Sequence, residues 1–478
     1  MRRLAFVVRV WSALGVLLPL CGLDAGVAHA NGVFPAVSQL VVEPGEPTHL
    51  YLRTTFGVVF SLDNGASWRW ICEDALGYTN TLPPIAVLQG GELVVGVPTG
   101  VSHGKASECG FRMSTGIDTN VVDLAVVKKT PTVMVALGID YTTHATQVYE
   151  STDSGASFTA IGPSFPDFVG TTIDVAPGEP DVIYVSGMPT SGSGGVLLRS
   201  NDHGKSFESH PIPDSVGVQW PYIGAVDAED PSKVFVRLSD VPGRLKVTTD
   251  GGETFTEPLK LDYELQGFAL SPDGRSVFVS SPARGTFRAD SSELVFEQLA
   301  CSGVSCLKWN GDVLYACGDQ TIDGYTVGRS LDQGRSYERL LNFECITPYA
   351  DCPASSPVSK ICPPLWPFVE MQLVGFGDCS AAMPPPPVFD QCLGNAGNGG
   401  NTGSAGTASR GGSGGKASAS GGKGGAAGGA GGKTSSKKDS GGCGCYVVGA
   451  PQRVRFASLF SVAALIASVA LRRRRAVR

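Results

Sequence analysis

Residues 61–68 read SLDNGASW, and the same mixture returns as STDSGASF at 151–158, SNDHGKSF at 200–207, TTDGGETF at 248–255 and SLDQGRSY at 330–337. All five follow one rule: Ser or Thr, any residue, Asp, any residue, Gly, any residue, Ser or Thr, then an aromatic. These residue types describe a turn. Asp63, Asp153, Asp202, Asp250 and Asp332 are placed to accept hydrogen bonds from backbone N–H groups. Gly65, Gly155, Gly204, Gly252 and Gly334 supply a positive φ that other residues adopt only with strain. Trp68, Phe158, Phe207, Phe255 and Tyr337 are expected to bury beneath the turn and fix the register of the next strand. Such a device closes a hairpin and does no chemistry.

Spacing turns the device into an architecture. The aspartates leave single steps of 49 and 48 residues and two gaps of 90 and 82, each close to a double step. Both gaps hold a decayed copy, GKASECGF at 104–111 and FRADSSELVF at 287–296. Upstream of each turn an apolar strand, a small turn and a second strand recur, as in VAPGEPDVIYVSG (175–187) and LSPDGRSVFVSS (270–281). Short strands at regular intervals with Gly and Pro turns read as all-β. Seven units over residues 36–343 average about 44 residues, the length of a four-stranded propeller blade.

The five motifs resemble the Asp-box, or BNR repeat, of sialidases, sortilin-type receptors and related propellers. The expectation is therefore an all-β, seven-bladed Asp-box β-propeller over residues 31–343. Six blades plus an irregular extra sheet is the alternative, since the second and sixth units are the most degenerate. Residues 344–392 carry five cysteines and many prolines and read as a small Cys-rich cap on the last blade.

Both ends of the chain differ from this body. Residues 1–30 have the charged, apolar, small-residue order of a secretory signal peptide, with cleavage expected after Ala30. Residues 393–442 are almost entirely Gly, Ala, Ser, Asn, Thr and Lys and read as a disordered linker with a reach of roughly 40 Å. A 16-residue apolar run at 456–471 follows, then four arginines at 472–475. It reads as one C-terminal transmembrane helix with the arginines on the cytoplasmic side. Cys443 and Cys445, the short helix and the terminal arginines resemble the myxobacterial C-terminal sorting tail over residues 443–478. That resemblance implies processing near the two cysteines and display at the cell surface. A plain membrane anchor is the alternative.

Charge and cysteine usage agree with export. The whole chain carries −7, but residues 31–392 hold 21 Lys and Arg against 42 Asp and Glu, a balance of −21. A body this acidic is unsuited to nucleic acid, whose phosphates need clustered Lys and Arg. Ten cysteines in that body allow up to five disulfides, with the pairing open. No CxxC pair occurs and the histidines are scattered, so no metal centre or cofactor is expected. Asp319 and Asp323 share a loop and are at most a weak calcium candidate.

The resemblance to sialidases implies three clamping arginines, a Tyr–Glu nucleophile pair and an acid Asp. The Phe-Arg-Ile-Pro-like motif ahead of the first repeat is missing, and several of the 12 body arginines flank the repeated turns. No catalytic residues are assigned on that ground. Ligand contact is expected on the face opposite the repeated turns, where Tyr78, Tyr141, Phe165, Phe168, Trp220, Tyr222 and Tyr325 lie in loops. The leading expectation is a non-catalytic glycan- or protein-binding adhesion module on the cell surface, its partner a glycan or an envelope protein. A sialidase-like glycoside hydrolase and an envelope scaffold are the alternatives.

Overall fold

The structure is a computed structural model and describes residues 35–379 other than 193, 216–219, 240, 301, 349–351 and 375–378. The signal segment, the linker, the C-terminal apolar run, Cys443 and Cys445 lie outside the described residues. No helix among the described residues is long and apolar enough to cross a membrane.

Seven antiparallel sheets, each built from four consecutive strands, follow one another along the chain. Blade 1 comprises Val37–Glu43, Glu46–Thr54, Gly57–Ser61 and Trp68–Ile71. Blades 2 to 7 begin with the strands Ile85–Val87, Asn120–Val126, Phe168–Val175, Pro221–Val226, Gly267–Leu270 and Cys306–Asn310. These first strands touch one another in ring order, and blade 7's returns to blade 1's, so they form the inner wall of a seven-bladed propeller. The two units without a clean repeat are full blades. Their decayed copies fall where the third strand turns into the fourth.

Burial falls from the middle of each blade to its rim. The second strand of blade 3, Met134–Asp140, is buried except at its last residue, and that of blade 4, Ile183–Pro189, is buried up to its last residue. Fourth strands such as Thr159–Phe165 are largely exposed and carry Gly, Pro and Ser, which discourages further pairing on an open edge. The apolar cores sit in the seams between blades. Ala125, Leu137 and Val148 of blade 3 pack with Ile173, Val185 and Leu198 of blade 4, for example.

All five repeated turns share one hydrogen-bond pattern. In blade 3, Ser151 Oγ donates to Asp153 Oδ1 (2.9 Å) and accepts from Gly155 N (2.9 Å). Asp153 accepts from Ser157 N (2.8 Å) and Ser157 Oγ (2.6 Å). The same contacts recur on Asp63, Asp202, Asp250 and Asp332. Hydrogen bonds hold these carboxylates below the usual range, Asp202 at about 2. Two successive residues take positive φ, the glycine and the residue before it: Ser154 (60°) with Gly155 (85°), His203 (62°) with Gly204 (75°).

The glycine of each turn presses on the preceding blade. A Cβ on Gly155 would lie 2.9 Å from Val94 of blade 2, one on Gly204 2.8 Å from Ile161 of blade 3, and one on Gly65 2.5 Å from Leu340 of blade 7. The repeats therefore close hairpins and seat neighbouring blades at once.

The C-terminal part of the domain is the main departure from expectation. Residues 345–348 and 352–374 attach to blades 1 and 2, not to the last blade. The strand Ile346–Pro348 adds in parallel to Trp68–Ile71, the rim of blade 1. Disulfides join Cys72 to Cys362 and Cys109 to Cys352, and Trp366 lies 5.4 Å from Trp70, ring centre to ring centre. The segment also forms two short helices, Pro357–Ile361 and Trp366–Leu373. Ser356 caps the first by accepting from Ser359 N. Two further disulfides, Cys306–Cys317 and Cys345–Cys379, complete the four among the described residues.

Both kinds of contact can be tested by unfolding. Asp153→Ala removes a charged acceptor of several bonds and is expected to cost about 2 kcal/mol in urea unfolding. Asp153→Ala with Ser151→Ala should lose less than the sum of the single variants, because the two side chains bond each other. Replacing Cys72 and Cys362 together by Ser opens a seam that Cys109–Cys352 leaves spanned by 47 residues, 37 on one side and 10 on the other. Chain entropy for a loop of that length predicts a loss of about 4 kcal/mol, read from the same unfolding curves.

Candidate functional site

The repeated turns and the first-to-second-strand turns share one face of the ring, since successive strands run antiparallel. The second-to-third-strand turns and the blade-to-blade connections share the other. A cleft of about 680 Å³ opens on that second face between blades 2 and 3. Pro98 comes from blade 2. Blade 3 supplies the rest, from Asp118 and Asn120 at its inner strand to Ala160 and Ser164 at its rim. Tyr141 stands at the mouth with 57 % of its surface exposed. Tyr149, half-buried, forms part of the wall.

Local chemistry explains the shape. Asp140 folds the loop after its strand by accepting from Thr142 N (2.8 Å) and Thr143 Oγ1 (2.9 Å), which lowers its pKa. This loop carries Tyr141. Gly138 lets Thr119 and Tyr149 close over its backbone to form the floor, since a Cβ there would meet Thr119 Cγ2 at 2.5 Å and Tyr149 Cε2 at 2.9 Å. Burial, reinforced by Asp118, raises the Tyr149 pKa, so its hydroxyl stays protonated. Gln147 Nε2 donates to Val148 O (3.0 Å) and Ile161 O (2.8 Å), which leaves its amide oxygen as an acceptor.

The aromatic residues singled out in the sequence separate on this map. Tyr141 lies in the cleft. Tyr78, Phe168 and Tyr325 are core side chains, with 4 %, 6 % and 2 % of their surface exposed. Burial raises the pKa of both tyrosines. The Tyr325 ring occupies the space above Gly318 and Gly328, where a Cβ would approach it to 2.7 and 2.8 Å. Phe165 packs edge-on against Phe168 and Phe207 at 6.0 and 5.2 Å. Trp220 and Tyr222 are half-buried on blade 5, the latter beneath Arg237 at 5.8 Å. Asp319 and Asp323 turn onto their own loop: Asp319 accepts from Thr321 N and Asp323 accepts from Asp319 N, at 2.8 and 2.9 Å. Burial lifts Asp323 to about 6. No group of three or more His, Cys, Asp or Glu side chains gathers among the described residues to hold a metal ion.

Sequence reasoning passed over Tyr149, Asp118 and Gln147. The available signal was Gly138, because a glycine inside a strand marks a place where another group comes close. It also passed over charges on the inner wall. Asp123, half-buried, accepts from Ile173 N of the next blade (2.9 Å), and burial raises it to about 7 against the offset of Arg53. Burial likewise raises Asp174 on the next blade.

No protein-family model matches the chain, and no curated protein matches it. Solved structures do. An ancestral GH74 enzyme superposes with a TM-score of 0.50 at 14 % identity, over 64 % of this chain and 46 % of that one. The extracellular domain assigned to a one-component system of B. thetaiotaomicron gives 0.46 at 12 %, over 62 % and 38 %. YCF48 from Cyanidioschyzon merolae gives 0.42 at 12 %, over 59 % and 92 %. This chain thus spans less than half the length of the first two. The first of them shares the fold of this chain. The disulfides add that the folded domain belongs to an oxidising, exported setting.

Asp123 gives this region a pH signature. Its folded pKa lies above the ordinary carboxylate value, so its contribution to stability is full below about pH 4 and is lost as pH rises from there to about 7. Asp123→Asn keeps an acceptor for Ile173 N and removes the charge. Melting temperatures are expected to match the wild type at pH 4 and exceed it at pH 8. A variant that melts lower at pH 8 would mean that Arg53 more than compensates the buried charge.

Proposed function

We propose that this is an exported, cell-surface-anchored propeller of the Asp-box type that binds a glycan in the cleft between blades 2 and 3. The observation that carries the reading is the cleft itself, with an exposed ring, Tyr141, at its mouth and polar side chains along its wall. Aromatic faces stack on the C–H faces of sugars, while hydroxyl, amide and carboxylate groups hold their hydroxyls. Thr119, Asn120, Gln147 and Tyr149 supply such groups in one cleft. The acidic body, the disulfides, the leader-like first 30 residues and the sorting-type tail support display outside the cytoplasm.

The test uses the full-length protein in detergent on a panel of immobilised glycans, with retained protein and released sugar read together by mass spectrometry. Wild-type protein is expected to be retained with no sugar released, and Tyr141→Ala is expected to lose at least tenfold in retention. Loss with Trp220→Ala but not with Tyr141→Ala would move the site to blade 5. Released sugar would replace binding by glycoside hydrolysis.

A further inference from the structure

We infer that the cleft between blades 2 and 3 selects sugars rich in hydrogen-bond donors, amine-bearing sugars above all, and rejects carboxylated ones. The inference rests on the glycan reading of this cleft and names the ligand class within it.

The polar groups of the cleft are weighted toward acceptors. Asp118 and Asp140 line it, and among the described residues no lysine, arginine or histidine does. The Gln147 amide nitrogen is committed to two backbone carbonyls, so its oxygen is what remains for a ligand. Asp140 accepts from Thr142 and Thr143, an arrangement that stabilises its charged form and keeps it an acceptor across the physiological range. The protonated Tyr149 hydroxyl is a neutral donor beside these groups and cannot balance a ligand carboxylate.

A sugar carboxylate entering this cleft would sit beside two like charges with no cation to meet it, which costs affinity. A sugar ammonium would meet the opposite situation, with three N–H donors and two carboxylates to accept them. Neutral sugars fall between, held by hydroxyl donation and by Tyr141. The domain's long-range field acts in the same sense, since a balance of −21 over residues 31–392 repels polyanions before contact.

The experiment titrates the full-length protein calorimetrically with three tetrasaccharides: a chitosan oligomer with free amines, its N-acetylated form and an oligogalacturonide. Affinity is expected to fall in that order. The amine form should lead the N-acetylated form by about tenfold, the size of one charge-assisted bond, and the lead should shrink with added salt. Asp118→Asn is expected to collapse the ratio between amine-bearing and N-acetylated sugar. The inference is overturned if the oligogalacturonide binds as tightly as the others, or if Asp118→Asn leaves the ratio in place. In either event the glycan reading itself stands. If none of the three binds, the glycan reading falls and this inference with it.

Discussion

The inner strand of every blade has one edge with no strand beside it, and its N–H and C=O groups face the axis. A buried backbone group without a partner costs about as much as a lost hydrogen bond, so the ring can form only if those edges are answered. Side chains answer them across the seams. Gln39 of blade 1 both donates to and accepts from Ile85 of blade 2 (3.0 and 3.1 Å). Asp123 of blade 3 takes Ile173 N of blade 4, and Thr172 of blade 4 takes Ile223 N of blade 5 (2.8 Å). Ser305 of blade 7 donates to Val37 O of blade 1 (2.9 Å) and closes the circle. An inner-wall polar residue in this fold is therefore first a substitute for a missing strand. That accounts for a half-buried aspartate on blade 3 with no catalytic partner needed to explain it.

The outer rim meets a different constraint. Strands one to four of every blade are continuous in sequence, so no strand is exchanged between the seventh blade and the first. The chain solves this after blade 7 by laying Ile346–Pro348 on the rim of blade 1, then fixing the following helices to blades 1 and 2 through Cys362 and Cys352. Blade 1 becomes the hub. Its core is continuous with Tyr315 and Leu341 of blade 7, with Leu93 and Val95 of blade 2, and with Val358 and Leu373 of the helices.

How much of this the sequence carried depends on the range of each interaction. The repeated turns are local, eight residues long, and their Asp and Gly roles follow from side-chain chemistry alone. The left-handed fourth position was hidden, because Asn64, Ser154, His203 and Gln333 have nothing in common except that conformation. His203 shows what can stabilise it, with its ring held by Glu150 of the preceding blade at 2.7 Å. Loop aromatics were legible as a set but not individually. Tyr325 buries because glycines at 318 and 328 make room for it, and such a pairing appears only when the strands are in register. Attachment of the C-terminal segment to blade 1 spans 290 residues, and ten cysteines leave that pairing open.

The position of the cleft follows from the same inequality among blades. Blade 2 turns from its second to its third strand through Pro98 and Thr99 alone, between Val97 and Gly100. Blade 3 makes the same turn through residues 141–144, drawn up by Asp140 and carrying Tyr141. A short turn beside a taller one leaves a step on the loop face. Gly138 lets Thr119 and Tyr149 pack over the nearer wall, and Tyr149 lines it. Blade 2 is also one of the two units whose repeated turn has decayed, and its Cys109 is bonded to Cys352 instead. The blade released from the repeat is thus held from outside by a disulfide.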